Sequence, residues 1–156
     1  MRIVLYKTIL DENKCCKIVG TEMQTYQTDK KLNDPKRVFE LMCAVFQHNK
    51  QSEEYLYMLC FTTDCKLLGV FELSHGSVDT TIYNPREIFQ KAFLCNATGI
   101  ILVHNHPSGS IMPSKADIDA YYRIKKAADI MGVSVFDNII IGDSYYSFHE
   151  KNNMDS

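Results

Sequence analysis

The residues best suited to chemistry in this chain lie in one short segment, from His104 to Asp117. His104 and His106 are one residue apart, and Asp117 follows after a loop that contains proline and glycine. Two imidazoles and a carboxylate are typical zinc ligands, and three protein ligands leave the fourth tetrahedral position open for water. A single histidine beside a strand is usually a core or surface residue, but three ligands at this spacing predict a metal site that is open to chemistry.

A buried strand and a helix start are predicted on either side of this segment. The apolar run 100–103 is typical of a buried strand, so His104 and His106 should leave its end on the same side, with the residue between them turned away. Ser114, followed three residues later by Asp117, is typical of a helix N-terminus, and residues three apart share a helix face. The intervening loop should therefore return Ser114 and Asp117 toward the histidines.

The spacing of these residues resembles the JAMM motif of JAB/MPN-domain metallopeptidases, which reads His-x-His, seven residues, Ser, two residues, Asp. Two further segments, 84–87 and 137–143, are similar to the RadC branch of that family, and the resemblance covers about residues 34–150. It implies a single α/β layered domain, a mixed β-sheet with flanking helices, similar to the cytidine deaminase fold. The deaminase motif Pro-Cys-x-x-Cys is absent, and Asp137-Asn138 stands where RadC-type sequences often have Asp-His.

The resemblance implies that His104, His106 and Asp117 hold one Zn²⁺ ion per chain, although such a ligand set also accepts iron, cobalt or manganese. It gives Ser114 the role of donating a hydrogen bond to the oxyanion during catalysis. A structural role for Ser114, as the N-cap of its helix alone, is the alternative.

The general base implied by the resemblance is a glutamate ahead of the strand that begins near Tyr55. Glu54 takes that place and is the expected catalytic base. Glu72, in the next strand, is the alternative, and Glu53 is the neighbour that a small alignment error would select. His75 is expected in a turn, exposed rather than acting as a ligand.

The implied function is zinc-dependent hydrolysis of a peptide or isopeptide bond in a substrate whose identity the sequence does not give. Two alternatives remain open: an accessory protein of DNA repair or DNA metabolism, after the RadC name, and a metal-binding interaction module without catalysis. A net charge of −2 and a pI near 6.2 predict no basic surface for a phosphate backbone. The complete ligand set argues against a non-catalytic module.

Composition and the chain termini suggest a cytoplasmic protein with reduced thiols. The six cysteines form no Cys-x-x-Cys pair, the N-terminus does not resemble a signal peptide, and no apolar run approaches the length of a membrane span. The oligomeric state is left open, since exposed strands of an N-terminal hairpin could pair between chains.

The length fits one domain, divided into an N-terminal hairpin and connector (1–33), the RadC-like JAB/MPN domain (34–150) and a loose tail (151–156). The hairpin strands are predicted at 2–9 and 16–23. RadC-type proteins usually carry a helix-hairpin-helix segment ahead of the JAB domain, and no such segment is expected here.

Three helices are predicted from their N-terminal signals, at Asp34-Pro35, at Asn84-Pro85 and at Ser114. The first should end near His48, which would face the helix dipole. The second and third should bury the apolar residues Ile88, Phe89, Ala92 and Phe93, and Ile118, Tyr121, Tyr122, Ala128 and Met131, respectively. The third should expose Lys115, Arg123, Lys125 and Lys126 and end at Gly132, and a short strand is predicted at 77–83.

Overall fold

The fold is given by a computed structural model that describes residues 1–28, 31–32, 34–76 and 83–154, with side chains described as far as Asn152. The strands are β1 (Arg2–Leu10), β2 (Cys16–Thr25), β3 (Glu54–Phe61), β4 (Leu67–Gly76), β5 (Gly99–Asn105), β6 (Ser134–Ile141) and β7 (Tyr145–Ser147). The helices are α1 (Pro35–Phe46), α2 (Pro85–Leu94), α3 (Lys115–Met131) and α4 (Phe148–Met154). A short 3₁₀ turn, His48–Lys50, follows α1.

In this described part of the chain the strands form one mixed sheet in the order β2-β1-β4-β3-β5-β6-β7. The β1–β4 and β5–β6 pairs are parallel and the other neighbours are antiparallel. Helix α3 connects the parallel pair β5–β6, as the crossover between parallel strands requires. The N-terminal hairpin joins the same sheet through the β1–β4 pair.

Helices cover both faces of the sheet, which is why β3 and β5 are apolar on both faces. On one face α2 and α3 pack over alternate residues such as Leu56, Met58 and Leu102. On the other face α1 packs over their neighbours, such as Tyr57 and Val103. The predicted α/β fold, a mixed sheet with flanking helices, is confirmed.

The predicted helix starts are present. Side chains of Asp34 and Asn84 accept hydrogen bonds from the backbone N–H groups two residues on, and each is followed by proline. Helix α3 begins after Ser114 and ends at Gly132, whose φ of 70° is the left-handed conformation that favours glycine. The β5–β6 register shifts at Phe136, so β6 carries a bulge there.

Of the tail predicted to be loose, residues 151–154 are instead helical, because α4 extends to Met154, and the last two residues lie outside the described part of the chain. Ser147 Oγ accepts a hydrogen bond from the Glu150 backbone N–H, a capping arrangement at the start of α4. Phe148 packs against Tyr121 at a ring distance of 4.5 Å. Helix α4 is therefore stabilised by both an N-terminal cap and a hydrophobic contact.

The predicted buried faces of α2 and α3 need correction. In α3, Ile124 is buried with Tyr121 and Ala128, whereas Ile118, Tyr122 and Met131 are exposed. In α2, Phe93 at the edge of the apolar stripe is 52% exposed. The buried face of each helix is therefore narrower than its number of apolar residues predicts.

Two histidine predictions were wrong about local structure. His48 lies after the end of α1, fully buried, with its ring 5.0 Å from that of Tyr57. Burial, and then the proximity of His104, lower the pKa of His48 to about 3, so the ring is neutral and carries no charge toward a helix dipole. His75 is exposed as predicted, but it belongs to β4 rather than to a turn.

Most of the segment predicted as a strand at 77–83 lies outside the described residues. All six cysteines are free thiols. Among the described residues, no helix is long and apolar enough to cross a membrane.

Candidate metal site

The two histidines of the site leave the end of the central strand β5. His104 is the penultimate residue of β5, paired with Leu56 of β3 and Ile140 of β6, and its side chain is fully buried. His106 follows the strand, and its backbone N–H donates to the Ile141 carbonyl oxygen at 2.8 Å. The sheet therefore fixes the backbone at both histidines.

The loop after His106 is held by close glycine packing. Gly109 has a φ of +83°, and its carbonyl oxygen accepts a hydrogen bond from the Asp143 backbone N–H at 2.9 Å. A Cβ atom at Gly142 would lie 2.2 Å from the Gly109 carbonyl oxygen, so only glycine fits there. This packing positions Ser110, whose carbonyl oxygen lies 3.1 Å from His106 Nδ1. An Nδ1–H of His106 donating to that carbonyl leaves Nε2 free for a cation.

Asp117 is brought to the histidines by the start of α3. Ser114 and Asp117 form a reciprocal capping box: Ser114 Oγ accepts from the Asp117 backbone N–H, and Asp117 Oδ2 accepts from the Ser114 backbone N–H. Ser114 Oγ also donates to Asp117 Oδ2 at 2.7 Å. Ser114 thus caps α3 and orients the carboxylate, and its single proton is directed at Asp117.

The three side chains converge on one point. The Nε2 atoms of His104 and His106 are 3.2 Å apart, and Asp117 Oδ1 lies 3.2 Å from His104 Nε2. Asp117 Oδ2 lies 3.5 Å from His106 Nε2. Ligands about 2.0–2.1 Å from a tetrahedral cation are about 3.3 Å from one another. The donor atoms and their spacing therefore fit a divalent metal ion, and these three side chains together could hold one.

The charges of the site are mutually stabilising. Burial alone would raise the pKa of Asp117, but its close contacts with His104 and His106 hold it far below its usual range. The proximity of Asp117 raises the pKa of His106, against the opposite effect of burial. The carboxylate is therefore ionised at neutral pH, as a metal ligand must be.

Glu54, the expected base, lines the same cavity as His106 and Asp117. It is the first residue of β3, on the face that carries Leu56 and His104, and it is 8% exposed. Burial raises the pKa of its carboxyl, while His104 and His106 act in the opposite direction. Asn105 holds this end of β3, since its side chain accepts from the Tyr55 backbone N–H and donates to the Glu53 carbonyl oxygen.

The other glutamates considered do not line the cavity. Glu72 pairs with Tyr57, whose side chain belongs to the face covered by α1, so it lies on the opposite side of the sheet from His104. Its carboxylate is 2.8 Å from His75 Nδ1. The residue Glu53 is exposed, and only its carbonyl oxygen takes part near the site.

The structure adds residues that the sequence did not indicate. Tyr83 is buried, with its hydroxyl 2.9 Å from His104 Nδ1 and 3.0 Å from Asn138 Oδ1. Arg123, predicted as part of the solvent-facing side of α3, donates to the Tyr83 carbonyl oxygen at 2.7 Å and lines the cavity. Asn138 had a signal in the sequence, as the departure from Asp-His. Tyr83 borders the RadC-like segment 84–87 but was itself predicted only as the end of a strand.

The cavity has a volume of about 650 Å³, a size typical of ligand pockets. Its charged lining includes Glu54, His106, Asp117, Asp119 and Arg123. The carboxylates of Glu54, Asp117 and Asp119 thus share one accessible space with the His106 imidazole, and the exposed Asp119 is a further residue that the sequence did not indicate.

Comparison with known proteins agrees with this architecture. A family model described as a RadC-like JAB domain matches residues 32–154. A UPF0758 protein of Geotalea uraniireducens is 37% identical over 130 residues, which cover 83% of this chain and 56% of that protein. A UPF0758 protein of Finegoldia magna is 39% identical over 113 residues, which cover 72% of this chain and 50% of that protein. The chain therefore spans about half the length of these relatives.

Proposed function

We propose that this chain, which belongs to the family of RadC-like JAB domains, is a zinc-dependent hydrolase that cleaves a peptide or isopeptide bond. The observation that supports this most is the shared cavity: Glu54 lines it beside the ligands His106 and Asp117, and its rival Glu72 lies on the other face of the sheet. A metal site with a neighbouring buried carboxylate is the arrangement that metal-assisted hydrolysis requires.

His104, His106 and Asp117 would hold the ion, two through Nε2 and one through a carboxylate oxygen. When bound, a divalent cation supplies a Lewis acid that makes water acidic enough to attack a carbonyl near neutral pH. Glu54 accepts the proton of the attacking water and returns it to the leaving amine. The Glu54 carboxylate lies in the cavity wall, and Asn105 fixes the backbone beside it. The carboxylate therefore carries the proton from one defined position.

Ser114 supplies a second polar contact at the cavity wall. Its hydroxyl donates to Asp117 in this structure, so a hydrogen bond to a substrate oxyanion requires the proton to turn away from the carboxylate. Losing one such donor costs about 3 kcal/mol in comparable sites. The substrate is expected to be a protein or peptide, and its scissile amide enters the cavity past Pro107, Ala116 and Ala120.

The proposal is tested with the whole chain, loaded with one equivalent of zinc and incubated with a defined peptide mixture, in which new termini are identified by mass spectrometry. His106→Ala is the control, because it removes one metal ligand. Cleavage that depends on zinc and disappears in the control is expected. Equal cleavage by the control would overturn the proposal, and zinc binding without any cleavage would favour the non-catalytic interaction module.

The nucleic-acid alternative has a separate test. In a mobility-shift assay, this chain should cause no salt-sensitive retardation of duplex DNA, since it has a net charge of −2. Salt-dependent retardation would favour an accessory role in DNA metabolism.

A further inference from the structure

The buried His104 is hydrogen-bonded to the side chain of Tyr83 through Nδ1, the ring nitrogen that faces away from the ion position. The Tyr83 hydroxyl lies 2.9 Å from His104 Nδ1, and all three residues of the contact, Tyr83, His104 and Asn138, are at least 97% buried. The other hydroxyl neighbour is Asn138 Oδ1 at 3.0 Å. A phenol has one proton to share between these two contacts.

The direction of the hydrogen bonds follows from the acceptor. With Asn138 Oδ1 facing the hydroxyl, Tyr83 donates its single proton to that oxygen, because an amide oxygen cannot donate. The phenol oxygen then accepts from His104 Nδ1–H, which leaves the lone pair of Nε2 available. That nitrogen is the atom that lies 3.2 Å from both His106 Nε2 and Asp117 Oδ1.

We propose that Tyr83 is a positioning residue that, through Asn138, fixes the proton of His104 on Nδ1 and so directs Nε2 toward the metal ion. This inference depends on the metal site of the proposed function. It assigns a task to two residues through their contacts with each other and with His104: Asn138 sets the direction of the Tyr83 hydroxyl, and Tyr83 sets the tautomer and the ring orientation of His104. Such partners of ligating histidines strengthen metal binding in general.

The reversed arrangement makes a different prediction. If the amide nitrogen of Asn138 donated to Tyr83, the hydroxyl proton would go to His104 Nδ1 and the ring proton would move to Nε2. An N–H would then face His106 and Asp117, where a lone pair is needed for a cation. The position of the ring proton therefore decides between the two.

The first test is zinc affinity, measured by competition with a chelating indicator. Tyr83→Phe removes one oxygen atom and leaves the Nδ1–H of His104 buried without an acceptor, so affinity should fall by about 10–100-fold. Tyr121→Phe is the matched control, since Tyr121 is equally buried but lies in the cluster with Phe148, and its affinity should equal that of the wild type. Thermal unfolding of the metal-free proteins checks that each variant is folded.

The second test is ¹⁵N NMR of histidine-labelled, zinc-loaded protein. The wild type should show His104 protonated at Nδ1, with a downfield, slowly exchanging proton. That proton should move upfield in Tyr83→Phe and remain in place in Tyr121→Phe. Asn138→Ala, which removes the acceptor for the hydroxyl, should weaken the same signal.

The outcomes separate this inference from the function on which it depends. A Tyr83→Phe variant that binds zinc as tightly as the wild type, or one whose His104 Nδ1 proton signal is unchanged, would overturn the inference and leave the hydrolase proposal standing. A wild-type chain that binds no zinc would overturn both.

Discussion

Replacing Glu54 by glutamine separates proton transfer from metal binding. The substitution keeps the size of a side chain that is 8% exposed and leaves His104, His106 and Asp117 unchanged. A general base contributes about 10²–10⁴-fold to the rate, equivalent to about 3–5 kcal/mol of transition-state stabilisation. We expect kcat of the zinc-loaded variant on a cleaved peptide to fall by that factor, with zinc content still one per chain.

Two carboxylates serve as matched controls for Glu54→Gln. Glu72→Gln alters a side chain on the opposite face of the sheet, and Asp119→Asn alters one at the exposed rim of the same cavity. Both should keep kcat within a few-fold of the wild type. A full rate in Glu54→Gln, or a loss in Asp119→Asn as large as the one predicted for Glu54→Gln, would refute the assignment of the base.

The stability of the metal-free protein tests the burial of Glu54 independently of catalysis. Because burial raises the pKa of this carboxyl, its ionisation opposes folding above the raised pKa and has no effect below the pKa of the unfolded chain. Glu54→Gln should therefore raise the free energy of unfolding at pH 7, and the difference should vanish below about pH 4. Urea titrations at several pH values would show it, and destabilisation at pH 7 would contradict the burial argument.

Three further variants test the supports of the site. His106→Ala should abolish stoichiometric zinc binding, measured by mass spectrometry of the metal after gel filtration, while His75→Ala should not. Asn105→Ala should lower the free energy of unfolding by about 1–3 kcal/mol and reduce kcat with zinc content unchanged; a parallel loss of zinc would contradict its role in holding β3. Gly142→Ala should cost about 1–3 kcal/mol and weaken zinc affinity by displacing the Gly109 carbonyl, and wild-type values for both would contradict the packing argument.

Much of the fold could be predicted because the signals are local. The caps at Asp34, Asn84 and Ser114 and the terminator Gly132 each satisfy helix-end backbone groups within a few residues. The convergence of His104, His106 and Asp117 could be predicted for the same reason, since a strand end, a tight loop and a helix start bring these three side chains together over a short span.

What the sequence missed depends on contacts between distant segments. Tyr83 reaches His104 only because α2 begins beside the end of β5, and Asn138 reaches Tyr83 only because β6 lies next to that strand. The exposure of Tyr122 and the burial of His48 against Tyr57 likewise depend on which side of each segment faces the sheet. The helix α4 had a local signal, Ser147 followed by Glu150, but its anchor at Phe148 required the position of α3.

The central claim is that two imidazoles and one carboxylate share a single cation. Anomalous diffraction at the zinc absorption edge, from crystals of the zinc-loaded chain, tests it most directly. We predict one peak about 2.0–2.2 Å from His104 Nε2, His106 Nε2 and an oxygen of Asp117, facing the cavity that Glu54 lines. A peak bound by other residues, or no peak at this position in zinc-loaded crystals, would contradict the claim.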